Sequence, residues 1–393
     1  MPKHQGWIAS MLFAALCMQQ AQADINGVGS TLPAKLYQTP GVLTAGFAPY
    51  LGMDRGRDKA AFLRNDYSLL SSLPSDRNVH WAASESKLKY FEVGDYFSAH
   101  HTDWGPLIQV PSAATAIAIR FNKAGSAEVD LSTNDLCGIF SGRVNDWRQI
   151  KESGRTGPIT VIYPNIASGS TELFTRFLNA KCVETGTFAV TTDFASSYSG
   201  GLPAGARSAN SSEAIMEALP AMNGTITFIG PTYAAATLEG LSDATKVARV
   251  NGMSPTAANI SSAIGAIPVP AVASRGDQNL WVPVFTSQAN IDANPGDKSL
   301  RLYPTSGYPI LGFTNLIFSQ CYADATQTSQ VRAFFARHYG PGVLSNNDTA
   351  IKNNLLLQLP YAWKTAVRDA FLTPTSPLSI GNANVCNGIG RPL

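Results

Sequence analysis

With 393 residues, 45% of them hydrophobic and only 14% charged, the chain is too long for one ordinary core and too apolar to be disordered. A formal net charge of +2, with no basic run or aromatic-interleaved basic patch, argues against nucleic acid as a partner. No internal repeat, heptad pattern or long low-complexity segment is present, so roughly two globular domains are expected.

Residues 1–23 carry Lys3 and His4, an apolar run from Trp7 to Met18, and then Ala21-Gln22-Ala23. This is the three-part pattern of a secretory signal cut before Asp24. The run is short for a membrane span, and Leu16 precedes Cys17 where a lipoprotein would carry a small residue. The expectation is a periplasmic or secreted chain with no membrane insertion.

The mature start, Asp24 to Pro33, leads two glycines and two hydroxyls into a proline suited to the first helical position. Thr31 or Leu32 would then cap the helix, whose free N–H groups and positive dipole end favour an anion. Taken alone, such a start more often binds only water. His80 falls on a probable core strand. His100-His101-Thr102-Asp103 is the only clustered metal-like group and reads as a surface loop, so no metal site and no catalytic residue is assigned. Strands are predicted at Pro106–Val110, Ala116–Ile119, Ile159–Tyr163 and Ile226–Ile229.

After the third strand, Ser168-Gly169-Ser170-Thr171-Glu172 opens a helix whose Phe174, Phe177 and Leu178 share one face. It is the second anion-site candidate, against an ordinary serine cap with Glu172 in the first turn. Helices are also predicted over Ser329–His338, where a charged His338 would favour the dipole, and over Pro360–Phe371. The alternation predicts an α/β fold with substantial parallel sheet. No Walker lysine, third dinucleotide glycine or Gly-x-Ser-x-Gly elbow occurs, so no nucleotide cofactor is expected.

Four cysteines remain after signal removal: Cys137, Cys182, Cys321 and Cys386. An even number in an exported chain points to two disulfides, with three connectivities open. Sequential pairing, Cys137 with Cys182 and Cys321 with Cys386, is the simplest.

The stretch DINGVGSTLPAKLY (24–37) resembles the DING family, a branch of the PstS-type phosphate-binding proteins. The resemblance continues through VLTAGFAPYLG (42–52), HWAASESKL (80–88), DLCGIFSGRVNDW (135–147), SGSTELFTRFLNAKC (168–182), YPILGFTNLIFSQCYA (308–323) and SIGNANVCNGIGRP (379–392). It implies a two-lobed periplasmic-binding-protein fold (type II), with the ligand cleft between two α/β lobes joined by two hinge strands. Lobe I would comprise 24–108 and 308–393, and lobe II 109–307, with hinge crossings near 107–112 and 308–313. The implied ligand is inorganic phosphate, the implied partner an ABC-type permease, and the implied state a monomer without cofactor.

Family members hold phosphate with backbone and hydroxyl donors from both lobes, one arginine, and one aspartate that accepts from the protonated phosphate. That acceptor repels fully deprotonated anions such as sulfate. Carried over, Thr31 and Leu32 match the first cap; Ser168 and Gly169 match the second, with Ser170 where threonine is usual. Three positions depart. Arg55 replaces the serine after the "GFAPY" segment, Glu85 replaces the aspartate of "GSDSKL", and Pro164 replaces the arginine. Losing the arginine removes a bidentate partner for a dianion, and proline has no N–H to offer. Glu85, longer by a methylene, would crowd the cleft or bend away. Arg55 would relocate the missing cation, unless Arg55, Arg57 and Lys59 are only a solvated turn. The ligand-binding set is therefore Thr31, Leu32, Arg55, Glu85, Ser168, Gly169 and Ser170. The expected function is capture of phosphate or a related oxyanion without catalysis. A secreted DING-type alkaline phosphatase and a diverged binder of another oxyanion or a phosphate ester are the alternatives.

Overall fold

The computed structural model describes residues 25–53, 57–70, 77–342 and 346–392. The signal-peptide reading of 1–23 and the Arg55 assignment lie outside the described residues. No helix among the described residues is long and apolar enough to cross a membrane.

The chain opens one sheet with β1 (Gly27–Gly29), β2 (Leu51–Gly52), β3 (Trp81–Ser84) and β4 (Leu107–Ala116). A second sheet takes β5 (Ala118–Asn122), β6 (Asp130–Leu131), β7 (Thr160–Pro164), β8 (Arg207–Ala209), β9 (Thr225–Ile229) and β10 (Val247–Val250). β11 (Val284–Thr286) and β12 (Leu300–Leu302) form a separate parallel pair. β13 (Leu311–Ser319) and β14 (Leu357–Gln358) return to the first sheet. Strand order is β14-β4-β13-β3-β1-β2 in the first and β6-β10-β5-β9-β7-β8 in the second.

Both sheets are mixed rather than mainly parallel. β1 runs parallel to β2 and β3, and β7 to β8 and β9, but β13 is antiparallel to both β3 and β4. The reason is connectivity: a chain that leaves one lobe on β4 and re-enters on β13 lays those two strands side by side in opposite directions. β4 pairs with β13 from Leu107↔Ser319 to Ala116↔Leu311, with a bulge at Thr314/Asn315. The sheets are joined at Ile117, whose N–H donates to Ile310 O at 2.9 Å and whose carbonyl accepts from the Tyr308 hydroxyl at 2.8 Å. Residues 107–116 form an unbroken strand of the first sheet, so the second sheet begins only after Ile117. We place the lobe boundary at this junction.

The apolar periodicity of the helices decides how they pack. Helix Gly169–Lys181 buries Phe174, Phe177 and Leu178, and Phe174 stacks on Phe228 at 4.4 Å. Helix Ala325–His338 buries Val331, Phe334 and Phe335 against the first sheet, where Trp81 and Phe318 stack at 5.5 Å. Helix Tyr361–Phe371 buries Trp363, Val367 and Phe371. Such aromatic pairs add about 0.5–1.5 kcal/mol each beyond their buried area. The expected disulfides are formed, Cys137–Cys182 and Cys321–Cys386, spanning 45 and 65 residues. Loops of that size are worth on the order of 4 kcal/mol each in the chain-entropy model.

Two sequence expectations change. His100 and His101 lie in the helix Tyr90–Trp104, where His100 stacks flat on Trp104 at 3.8 Å. His338 carries no charge to offer the helix dipole, because burial pushes its imidazole down to about 4.

Candidate functional site

β1 delivers Ser30, and β3 delivers Ser84, Glu85 and Ser86, to one end of the first sheet. On the opposite side, β7 leads through Ala167 and Ser168 into the helix Gly169–Lys181. The two sets face one another across a cavity of about 150 Å³, lined also by Met53, Asp58, Lys59, Lys89, Glu92, Glu172 and Thr192. That is well below the roughly 300–1,000 Å³ of sites for drug-sized ligands, so the cavity suits a small guest.

The helix start is built as the serine-cap reading expects. Ser168 Oγ accepts from Thr171 N–H at 3.1 Å, and Glu172 N–H donates to Ser168 O at 3.2 Å. A helix cannot satisfy its own first N–H groups, so those of Gly169 and Ser170 remain for a partner at the dipole's positive end. Glu85 meets this end directly. A Cβ built on Gly169 would fall within the Glu85 carboxyl group and 3.0 Å from its Cβ, so only glycine fits while Glu85 stands there. The extra methylene of Glu85 therefore crowds the cleft rather than bending away.

Further contacts join the two sides. Ser86 Oγ donates to Glu172, which also pairs with Arg176 one turn further on. Lys87 pairs with Asp297 and donates to Ser299 Oγ at 2.8 Å. Lys35 Nζ reaches Thr232 O at 2.9 Å.

Comparison with known proteins places this architecture. Residues 59–335 match the PBP superfamily domain. The chain is 61% identical to "Alkaline phosphatase L" of Pseudomonas aeruginosa (strain UCBPP-PA14), over 98% of each chain. It is 56% identical to a "Phosphate-binding protein" of an unknown prokaryotic organism, over 94% of this chain and 100% of that one. The solved structure of a high-affinity periplasmic phosphate-binding protein (PfluDING), bound with phosphate at pH 8.5, superposes with a TM-score of 0.89. That protein is 60% identical, with 94% of this chain and 100% of that chain covered. The chain belongs to the DING branch of the PBP superfamily.

Within this DING chain, the expected ligand residues are only partly gathered. Glu85, Ser168 and Gly169 line the small cavity together. Thr31 instead lines a neighbouring pocket of about 470 Å³. Leu32 is buried beneath it: its side chain packs against Gly230, and its N–H is taken by Ser30 Oγ at 3.2 Å. The first-lobe helix begins at Ala34 with Pro33 at its cap, one residue later than expected. At this corner Ser30 lines the small cavity and Thr31 the neighbouring pocket. Ser170 is half-buried on the helix and lines neither space. Met53 and Asp58, on either side of 54–56, both line the cavity.

Pro164 ends β7 paired with Ala209, so no cation stands at the family's arginine position. Lys59, read as part of a solvated turn, lines the cavity, as does Lys89. Lys59 is only 13% exposed and donates to Glu92 at 3.0 Å from the first turn of helix Asp58–Arg64. Its signal was its place one residue inside a helix start. Glu172 was legible only as a first-turn acid, yet it links the two sides. Burial raises its pKa, but Arg176, Ser86 and Lys59 outweigh that and hold the carboxyl below the usual range.

Elsewhere, among the described residues no group of three or more His, Cys, Asp or Glu side chains is placed to hold a metal ion. His80 is buried and neutral: burial, helped by Arg391, lowers it to about 3. Its Nδ1 accepts from Asn26 N–H at 3.0 Å, which leaves the proton on Nε2, donated to Gln327 with that amide turned so that its oxygen faces the ring.

Proposed function

We propose that this chain captures inorganic phosphate, or a closely related oxyanion, in the 150 Å³ cavity between its lobes. The observation that carries the reading is the start of helix Gly169–Lys181, whose first N–H groups open into a small cavity ringed by Ser30, Ser84 and Ser86. Lys59 adds a positive charge, and Arg55, in the connection between Met53 and Asp58, is a second candidate cation. Glu85 is the acceptor for a protonated oxyanion and repels a fully deprotonated one. The relatives bearing phosphate-binding names, one of them with phosphate bound, support the same ligand.

The test is a thermal-shift and calorimetric panel on the mature protein with phosphate, arsenate and sulfate. Ligand at 100 times its Kd stabilises a binder by about 2.7 kcal/mol. Phosphate and arsenate are expected to do so and sulfate not. A flat response to all three would end the reading.

We propose binding without turnover. A Ser–His hydrogen bond does exist, Ser112 Oγ to His338 Nε2 at 2.8 Å, but both residues are buried away from the cavity. Its tautomer is also wrong for a base. Asn347 Nδ2 donates to Val42 O and faces His338 Nδ1, which leaves the imidazole proton on Nε2, toward Ser112. Phosphatase relatives make the check worth doing: steady release of p-nitrophenol from p-nitrophenyl phosphate by pure protein would overturn this part. We further propose delivery to an ABC-type permease from the periplasm. Phosphate uptake by deficient cells that is unchanged by added protein would count against it.

A further inference from the structure

The small cavity does not stand alone. A pocket of about 470 Å³ adjoins it, and three separate segments supply a residue to each space. Ser30 faces the first and Thr31 the second; Ala167 faces the first and Ile166 the second; Met53 lines both. The two spaces are thus close neighbours, and Met53 is the residue they share. The Met53 backbone is fixed by its N–H to Gly29 O at 2.7 Å, and its unbranched side chain, which packs against the apolar cluster around Val28 and Phe62, is the part with alternative rotamers.

The two spaces differ in chemistry. The first holds the helix start, Lys59 and the serine hydroxyls, which suit a compact anion. Among the described residues the second is lined by Thr31, Gln38, Asn210, Ser211 and Tyr233, with Glu213 as its charged lining group; Lys35 stands at Tyr233, its Nζ 4.3 Å from the ring and held by Thr232 O. Hydroxyl, amide and phenol groups beside the Glu213 carboxylate suit a neutral, hydroxyl-rich group and disfavour a second anion. Its volume lies within the roughly 300–1,000 Å³ range of small-molecule sites, whereas that of the first does not.

We infer that this cleft accepts phosphate monoesters of small neutral polyols, with the phosphoryl group in the inner cavity and the polyol past Met53 in the outer pocket. The inference rests on the phosphate reading of the inner cavity and adds a second subsite to it. Met53 sets the length of guest: packed between the spaces it encloses inorganic phosphate, and turned aside it admits the ester.

The experiment is calorimetry with inorganic phosphate and with glycerol 3-phosphate, each alone and in competition, on wild type, Asn210→Trp and Met53→Ala. Asn210 is exposed at the outer pocket and takes no part in the inner cavity. The expected result is one-to-one competition, with Asn210→Trp weakening glycerol 3-phosphate at least tenfold while phosphate affinity stays put. Met53→Ala should strengthen the ester relative to phosphate. Phosphate binding without ester competition would overturn the subsite alone. So would equal effects of Asn210→Trp on both ligands, or no effect on either. Ester binding without phosphate binding would overturn the inorganic-phosphate reading and keep the subsite. If neither ligand binds, both fall.

Discussion

Gly169→Ala is the sharpest probe of the cleft. The added Cβ would enter the Glu85 carboxyl group, 2.9 Å from its Cδ and 3.0 Å from its Cβ. Overpacking of this kind costs about 1–3 kcal/mol when the structure must absorb it. Here the colliding groups belong to different lobes, so the strain is relieved by the lobes parting and not by unfolding. Global stability should therefore change by less than about 1 kcal/mol, within the range of ordinary surface substitutions. The closed, binding-competent state bears the penalty, and phosphate affinity should fall by about 5- to 150-fold. Glu85→Ala removes the carboxyl group but leaves a Cβ–Cβ approach of 3.0 Å, which asks the neighbours to give a few tenths of an ångström. In that background most of the Gly169→Ala penalty should vanish, giving a coupling of about 1–2 kcal/mol in a double-mutant cycle. Calorimetric titration of the four proteins, with urea midpoints as the stability control, measures both quantities. Effects that add within about 0.5 kcal/mol would refute the cross-lobe contact. A large stability loss with normal affinity would refute the assignment of strain to closure.

Glu85→Gln replaces a repelling carboxylate with a neutral amide, and sulfate affinity relative to phosphate should rise at least tenfold by calorimetry. The buried histidines predict an acid-sensitive fold: folded pKa values near 3 for His80 and 4 for His338 lie below the ordinary value of about 6.5. Both stay neutral when folded, so their contribution is complete above about pH 6.5. It is lost as pH falls from there toward the folded values, each group approaching a slope of about 1.4 kcal/mol per pH unit. Urea midpoints at pH 7, 6 and 5 should drop steadily, and less steeply in His338→Gln; a flat profile would be contrary. Glu172 shifts in the same proton direction, although its folded form is the charged one: its depressed pKa stabilises above about pH 4.3 and the benefit fades below it. Glu172→Gln should cost about 1–3 kcal/mol at pH 7 and little at pH 3, by the same melts. Cys386→Ser should cost about 2–5 kcal/mol, with wild type under reductant moving the same way.

Much of the fold was legible because helical faces declare themselves locally. Phe174, Phe177 and Leu178 predicted the packed face of their helix from spacing alone, as Trp363, Val367 and Phe371 did for theirs. Strand direction is not local. Leu107 to Ala116 reads as an apolar run that fits either orientation, and only the return of the chain on β13 makes it antiparallel. Histidine charge is likewise a tertiary property: at a helix end His338 has reason to be protonated, until burial against Phe334 and Tyr339 removes it.

The site divides along the same line. Ser168 and Gly169 could be picked out because a cap and a glycine at a helix start have a local reason to be there. Lys59 and Glu172 could not, because their roles come from Glu92, Ser86 and Arg176, and Ser86 and Arg176 come from opposite sides of the cleft. Leu32 shows the converse. Its place in the motif is that of a cap, but a one-residue shift of the helix start to Ala34 hands its N–H to Ser30 and its side chain to Gly230. The loss of arginine at Pro164 reads in sequence as a loss of anion affinity. In three dimensions two lysines, Lys59 and Lys89, line the cavity, and Lys59 is spoken for by Glu92. A dianion must therefore compete with Glu92 for Lys59, while Glu85 opposes it at the helix start and Asp58 and Glu172 add further negative charge to the lining. The field inside this cleft accordingly favours the more protonated form of an oxyanion, and its affinity for phosphate should decline as pH rises through phosphate's second ionisation.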